Sequence, residues 1–415
     1  MALSVAILRN RDFRLLMATR FCVIFALQAQ AVIVGWQVYT LTRDPLMLGL
    51  IGLAEAVPAI IFALFAGHLV DISRPYVIYI SCLFALVVNT LLLLLLAGGF
   101  IPLTPALIVP VLFSGVFFSG LARSFIMPAS FALLAQIVPR HHMPAASAWL
   151  SSGFQVAAIL GPAIAGLIYG GYGHSVAWFI PMIFMATALT VMLGIAMPHR
   201  RYRSIAKREP AIRSIIAGWK FIIHQRVLLS VMTLDMFAVL FGGAVAMLPA
   251  FADAVLHTGS EGLGLLRAAP AAGSIITALY FALKPMKKIH GATLLWVVVG
   301  FGASMIGFGL SETFWVAAFF IGVSGAFDSI SMVIRGTLMQ LLIPEDMRGR
   351  VSSVNSMFII SSNEIGAFES GVAASLMGLV PSIIFGGACT LVVAILTAAL
   401  SPKLRRLVVE TEKSD

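Results

Sequence analysis

Nine ionisable residues interrupt long apolar stretches of this sequence, and they are the residues most suited to chemistry. They are Arg20, Arg123, Arg267, Arg335, Glu55, Asp235, Asp328, Glu364 and Glu369. A charged side chain at the centre of a bilayer costs about 2.5–3.5 kcal/mol, so such groups must pair, face water or exchange protons. An arginine can hold an anionic oxygen by charge-assisted hydrogen bonds. A carboxylate in an apolar setting disfavours its charged form and can carry a proton.

The composition around these residues excludes an ordinary soluble protein. The chain has 415 residues, of which 60% are hydrophobic and 11% are charged, and its mean hydropathy is +1.02. Soluble domains carry about 25% charged residues. A cytosolic enzyme, a nucleic-acid-binding domain and a disordered chain are therefore excluded. The long apolar runs predict an all-α membrane protein.

Twelve apolar spans can be delimited in the sequence. They cover residues 15–41, 46–70, 76–98, 106–137, 145–170, 175–198, 227–255, 262–283, 291–311, 313–341, 350–379 and 382–401. Alternate connections between them carry nearly all the lysines and arginines, so the positive-inside rule places both termini in the cytoplasm. The net charge of +10 is thus a sign of orientation and not of nucleic-acid binding.

An internal repeat divides the chain into two halves. We predict an N-terminal six-helix bundle at 1–198, a cytoplasmic linker with an amphipathic segment at 199–226, a C-terminal six-helix bundle at 227–402 and a cytoplasmic tail at 403–415. Gly52 and Pro58 recur as Gly264 and Pro270, and Glu55 matches Arg267 with opposite charge. Further pairs keep one constant separation: Pro139, Gly161 and Gly166 with Pro344, Gly366 and Gly371. Such repeats are typical of alternating-access transporters with a site at the repeat interface.

The depth of each charged residue follows from its position within its span. Asp328 and Arg335 are seven residues apart, so both fall on one helix face. The cytoplasmic third of the spans holds Arg20, Asp235 and Arg335. The middle holds Arg123, Asp328 and Glu364. The outer half holds Glu55, Arg267 and Glu369. Permanent ion pairs that tie helices together are the alternative interpretation. Uncharged polar residues such as Gln30, Gln37 and Asn89 are interhelical hydrogen-bonders as often as ligands.

Three segments carry a family resemblance. They are Gly67-His68-Leu69-Val70-Asp71-Ile72-Ser73-Arg74, then Ala157 to Gly166, and Arg335 to Gln340 followed by Pro344 to Val351 and Asn363 to Gly366. On these segments the chain resembles the major facilitator superfamily over nearly its whole length. With Ala122-Arg123 and Pro128-Ala129, it is similar to the branch that contains the enterobactin exporter. The resemblance implies two pseudo-symmetric six-helix bundles.

The resemblance also implies roles for these residues. Helices 1, 4, 7 and 10 line the central cavity in that family, which places five of the charged residues near a substrate path: Arg20, Arg123, Asp235, Asp328 and Arg335. A gating motif comprises Gly67, Asp71, Arg74, Gly349 and Arg350. In it, the Asp71 carboxylate would accept hydrogen bonds from the helix N-terminus at Gly349 and Arg350. A turn that merely orients the chain is the alternative. Gly161, Pro162 and Gly166 form the helix-5 exporter motif, for which close packing alone is the alternative.

The sequence then predicts a monomeric, proton-coupled transporter in the inner membrane of a bacterium, and the resemblance implies that it exports a siderophore-like molecule. Its partners would be a small siderophore-like molecule, protons and the bilayer, without nucleic acid. A broad drug exporter and a lipid flippase remain alternatives, and a non-transporting sensor or scaffold is a further one. No cofactor, metal or enzyme activity is expected, because we find no phosphate-binding loop, nucleophile triad or metal-spaced cluster.

Overall fold

The chain folds almost entirely into α-helices, as predicted. The computed structural model describes residues 7–139, 142–195, 211–284, 288–344 and 347–410. The surroundings of a few helical residues within these ranges are outside this description, among them Gly67, Asp71 and Gly349.

Six long helices form the first half of the described chain. After a 3₁₀ turn at Ile7–Arg9 they are α1 (Arg11–Thr42), α2 (Pro45–Ile72), α3 (Pro75–Leu96), α4 (Pro105–Ile137), α5 (Met143–Ala177) and α6 (Phe179–Leu193). The Asn10 side chain caps α1 by accepting from the backbone N–H groups of Asp12 and Phe13. Proline opens α2, α3 and α4, where its missing N–H costs nothing.

The second half begins with a shorter helix and ends in a small sheet. Its elements are α7 (Ala211–His224), α8 (Arg226–Phe241), a 3₁₀ turn (Ala244–Met247), α9 (Leu248–Ala254), α10 (Gly259–Leu283), β1 (Lys288–His290), α11 (Gly291–Gly309), α12 (Phe314–Leu342), α13 (Arg348–Met377), α14 (Leu379–Leu400), α15 (Pro402–Arg405) and β2 (Val408–Glu410).

Ten helical segments of the described chain are long and apolar enough to cross a membrane. One of them, Arg226–Ala254, joins α8, the 3₁₀ turn and α9. Together with the shorter apolar α6 and with α13, they occupy the twelve predicted spans in order. Large apolar side chains on these helices are exposed, for example Leu92, Phe84 and Leu376. Surfaces of this kind are suited to contact lipid chains.

Three boundaries differ from the predicted ones. The fifth helix runs on to Ala177 through a kink at Gly173, whose φ of 82° places it in the left-handed region that glycine tolerates. The seventh span is broken into α8 and α9, because the backbone leaves the helix at Gly242 and Gly243. The expected tail contains β2, which pairs antiparallel with β1 through Ile289 and Val409.

The chain divides into two compact units. Unit 1 consists of Met1–Arg43, Leu53–Lys207 and Gly259–Ala268, and unit 2 consists of Asp44–Gly52, Arg208–Thr258 and Ala269–Asp415. The first turns of α2 thus belong to unit 2, and the first turns of α10 belong to unit 1. The domain boundaries given above stay a prediction.

A hydrophobic core holds unit 1 together. Phe13 and Leu16 of α1 pack with Tyr79 and Leu83 of α3 and with Met185 of α6, and all five are fully buried. Burial of a large apolar side chain stabilises a fold by about 1.5–3 kcal/mol in water. Inside a membrane the same close contacts contribute mainly through dispersion.

Unit 2 has two apolar clusters. One joins α8, α11 and α12 to β1 through Leu234, Leu294, Ile334 and Ile289. The other joins α7 to α8 and α13, because Ile222 packs with Leu228, Met232 and Val354. Three large apolar side chains of α7 are exposed, namely Ile216, Trp219 and Ile223. The predicted linker thus contains a helix, and its amphipathic character stays a prediction.

Candidate functional site

An ion pair joins α2 to α4 within unit 1. The guanidinium of Arg123 contacts the carboxylate of Glu55. The helices meet closely here, because a Cβ added at Gly120 would collide with the Glu55 backbone. The side chains of Arg123 and Glu55 are 46% and 25% exposed. The pair is therefore partly open to its surroundings.

A second ion pair joins α8 to α12 within unit 2. Arg335 contacts the carboxylate of Asp235, and the two side chains are only 12% and 11% exposed. The Arg335 Nε also donates to the carbonyl oxygen of Ser331 at 3.4 Å. Sequence reasoning placed Asp235 and Arg335 at the same depth, and the structure brings them together.

Two further charged residues stand without such partners. Among the described residues, none forms a hydrogen bond or ion pair with Asp328, which is half-buried on α12. The buried Nε of Arg267 on α10 likewise has no hydrogen-bond partner in the described part of the chain. A charged group left in this state in an apolar helix is costly, so it calls for a ligand or a proton.

Arg20 is held differently from the other arginines. Its guanidinium carbon lies 5.9 Å from the centre of the Phe131 ring, which is within range of a cation–π contact. The ring quadrupole thus supplies part of the attraction that a carboxylate gives to Arg123 and Arg335.

The two glutamates of α13 lie in unit 2. Glu364 is half-buried and faces α2, where a Cβ added at Gly52 would lie 3.6 Å from its Oε2. Glu369 is half-buried one turn or more further along the helix. These two acids therefore lie on one helix of unit 2.

Part of the predicted gating motif can be located. Arg74 is exposed and precedes α3. Arg350 donates from Nη1 to the Sδ of Met347 at 3.7 Å. The surroundings of Gly67 and Gly349 and the side chain of Asp71 lie outside the described part of the chain. The gate therefore stays a prediction.

The helix-5 residues lie at close helix crossings of unit 1. A Cβ added at Gly161 would lie 2.9 Å from the Phe25 carbonyl oxygen of α1. One added at Gly166 would lie 2.7 Å from the Cα of Gly264 on α10. Pro162 is buried between them, and its carbonyl oxygen would be 2.6 Å from a Cβ at Gly264. Only glycine permits these approaches.

Buried hydrogen bonds link the helices of unit 1. Ser119 accepts from the Gln30 Nε2 and from the Asn89 Nδ2, both at 3.1 Å. Trp178 donates from Nε1 to the Gln37 Oε1 at 3.2 Å. The spacing of Gln30 and Gln37 on one helix face signalled this line of contacts. Ser119 had no such signal, because an isolated serine in an apolar span is common.

The described residues offer charge recognition and proton exchange. They contain no group of three or more His, Cys, Asp and Glu side chains that could hold a metal ion. Arginines and carboxylates inside apolar helices can bind an anionic group or a proton.

Comparison with known proteins identifies the family of this chain. The model of the Major Facilitator Superfamily matches residues 16–367. The enterobactin exporter EntS of Shigella boydii is 23% identical over 290 residues, which cover 70% of this chain and 68% of that protein. EntS of an Escherichia coli strain matches to the same extent.

Solved structures share the fold. A POT family transporter in complex with a thioalcohol-conjugated peptide superposes with a TM-score of 0.74 at 12% identity, covering 95% of this chain and 97% of that one. The nucleoside transporter NupG gives a TM-score of 0.68 at 13% identity, covering 94% and 99%. The predicted resemblance is confirmed, and the family and its relatives are transporters and not enzymes. This chain belongs to the major facilitator superfamily and is a multi-pass membrane transporter.

Proposed function

We propose that this transporter exports a small siderophore-like molecule from the cytoplasm across the inner membrane of a bacterium, in exchange for protons. One observation carries the proposal: both arginines and carboxylates stand inside its apolar helices, and they include Arg267 and Asp328, for which no partner is described. A scaffold or sensor gains nothing from keeping such costly groups at depth.

The relatives support the class of substrate. Proteins similar over 70% of the chain are named enterobactin exporters and come from bacteria. The peptide and nucleoside transporters support the fold alone, because their identity is 15% or less. A siderophore-like molecule with acidic oxygens suits arginines, which bind such oxygens through two parallel hydrogen bonds.

Alternating access would couple export of the molecule to entry of protons. The internal repeat supplies two related halves, and one state would bind the exported molecule from the cytoplasm while the other would release it outside. A carboxylate that takes up a proton on release and gives it up on return makes the cycle proceed in one direction.

The proposal is tested in inverted vesicles with an acidic lumen and a fluorescent pH probe. Enterobactin added outside should be carried inward while protons leave, so the pH difference should collapse only in vesicles that contain the protein. Vesicles without the protein, and sucrose in place of enterobactin, are the controls. If folded protein gives no response to enterobactin, siderophore export is wrong, and a response to ethidium alone would favour drug efflux.

A further inference from the structure

The internal repeat extends to the charged residues themselves. The α4 segment Ser119-Gly120-Leu121-Ala122-Arg123-Ser124 recurs in α12 as Ser324-Gly325-Ala326-Phe327-Asp328-Ser329. Asp328 is thus the counterpart of Arg123, as Arg267 is the counterpart of Glu55. Both positions carry inverted charge in the second copy.

In the first copy of this arrangement, the two charged residues form an ion pair. Gly120 packs against the backbone of Glu55, which brings Arg123, one turn later on α4, onto the Glu55 carboxylate. Each charge therefore cancels the other, and the contact ties α2 to α4.

The second copy packs in a different register. Gly325, the counterpart of Gly120, packs against Pro270 of α10. Pro270 is the counterpart of Pro58, which comes one turn after Glu55. The Ser274 hydroxyl confirms this register by donating to the Gly325 carbonyl oxygen at 3.0 Å. Within unit 2, α10 is therefore displaced along α12 by about one helical turn relative to the first copy.

This register leaves Asp328 among uncharged groups of unit 2. The hydroxyls of Ser274 and Thr277 bond to the α12 backbone just before it, and Phe327 packs against Gly300 of α11. The ion pair that α12 makes with α8 lies two turns away and is already satisfied within itself. A lone carboxyl in such surroundings favours a bound proton.

Arg267 stands in unit 1 with one side-chain nitrogen buried and unbonded among the described residues. One turn before it, Gly264 packs against Pro162 and Gly166 of α5. A guanidinium keeps its charge in any such setting, so it cannot be neutralised by losing a proton. An anionic ligand that contacts the guanidinium would compensate this charge.

We propose that the charged residues of the first copy form a structural ion pair and that those of the second copy have separate functions in transport. Arg267 holds an anionic oxygen of the exported molecule, a carboxylate or a catecholate. Asp328 binds the coupling proton from outside and releases it to the cytoplasm. This assignment rests on the proposed proton-coupled export. It selects two of the nine charged residues as the ones that bind the exported anion and the proton.

The role of Arg267 is tested by binding to the purified full chain in detergent. The probes are 2,3-dihydroxybenzoate and its neutral match, 2,3-dihydroxybenzamide. The wild type should bind the anion about tenfold or more tightly than the amide, which is the worth of a hydrogen bond to a charged group. Arg267→Gln should remove that preference, and Arg267→Lys should keep part of it.

Arg226→Gln is the matched control, because Arg226 is exposed at the first residue of α8. It should keep the full preference for the anion. An Arg267→Gln protein that discriminates as well as the wild type would overturn the assignment. So would a wild type that binds both probes equally or binds neither.

The role of Asp328 is tested by separating exchange from proton coupling in proteoliposomes with labelled enterobactin. Asp328→Asn should lower the enterobactin-driven proton flux about tenfold or more while exchange of enterobactin across the membrane stays within about twofold. Asp328→Glu should retain coupling. Coupling at the wild-type level in Asp328→Asn would overturn this inference alone, whereas a wild type without any enterobactin-driven flux would overturn the proposed function.

Discussion

At the scale of single residues, the Asp235–Arg335 contact is the more enclosed of the two ion pairs. Both side chains are nearly buried, so neither charge can turn to water if its partner is lost. Removing one member of such a pair leaves an uncompensated charge and costs about 3–5 kcal/mol. Removing both members costs less, since no charge is left alone.

This reasoning predicts a specific pattern of thermal stability. Asp235→Asn and Arg335→Gln should each lower the melting temperature of the purified protein, and the double variant should melt above both single variants. Melting curves at one fixed scan rate measure this. Arg226→Gln serves as the exposed control and should melt like the wild type. Additive losses in the double variant would show that the pair contributes no coupling energy.

The sequence predicted which charged residues lie at depth, but not which of them pair. Counting residues along the spans put Asp235 and Arg335 at one level, and the two form an ion pair. The same counting put Arg123 and Glu55 at different levels, yet they also form an ion pair. Counting also made Arg267 and Asp328 look like the other charged residues. Arg267 and Asp328 differ from the other charged residues because of the register of α10 on α12. That register depends on Gly325 packing against Pro270. A backbone contact of that kind leaves no trace in hydropathy.

At the scale of elements, the crossing of α5 and α10 depends on two glycines. A Cβ added at Gly166 would lie 2.5 Å from the Ser260 carbonyl oxygen and 2.7 Å from the Gly264 Cα. Both are backbone atoms, so the helices themselves must move apart to admit a methyl group. Overpacking of this kind costs about 1–3 kcal/mol.

Gly166→Ala should therefore lower the melting temperature. Gly153→Ala lies on the same helix, and an added Cβ meets nothing within 4 Å there. That control should melt at or above the wild-type temperature, because alanine favours a helix over glycine by about 0.5–1 kcal/mol. If the two variants melt alike, the close approach at Gly166 does not stabilise unit 1.

The elements themselves were largely predictable, and the exceptions have local causes. Among the described residues, ten of the twelve predicted spans are helices long and apolar enough to cross a membrane, and α6 and α13 occupy the other two. The break of the seventh span at Gly242 and Gly243 was missed, because apolar residues flank both glycines and conceal the interruption. The β1–β2 pair was missed because three-residue strands such as Val408–Glu410 carry too little pattern to recognise.

At the scale of the whole molecule, the fold and the family are established, and the cycle is the proposal. The two repeats carry the same segments with different charges, so they are suited to different tasks. The first copy closes an ion pair between Glu55 and Arg123. In the proposed cycle, Arg267 of the second copy binds the exported anion and Asp328 binds the proton.

The most direct measurement is therefore accumulation of labelled enterobactin in inverted vesicles that contain the protein. With an acidic lumen, enterobactin should accumulate inside above its external concentration. Addition of the exchanger nigericin, which abolishes the pH difference, should return it to the external level. Accumulation that is unchanged by nigericin, or its absence with folded protein in the membrane, would contradict proton-coupled export.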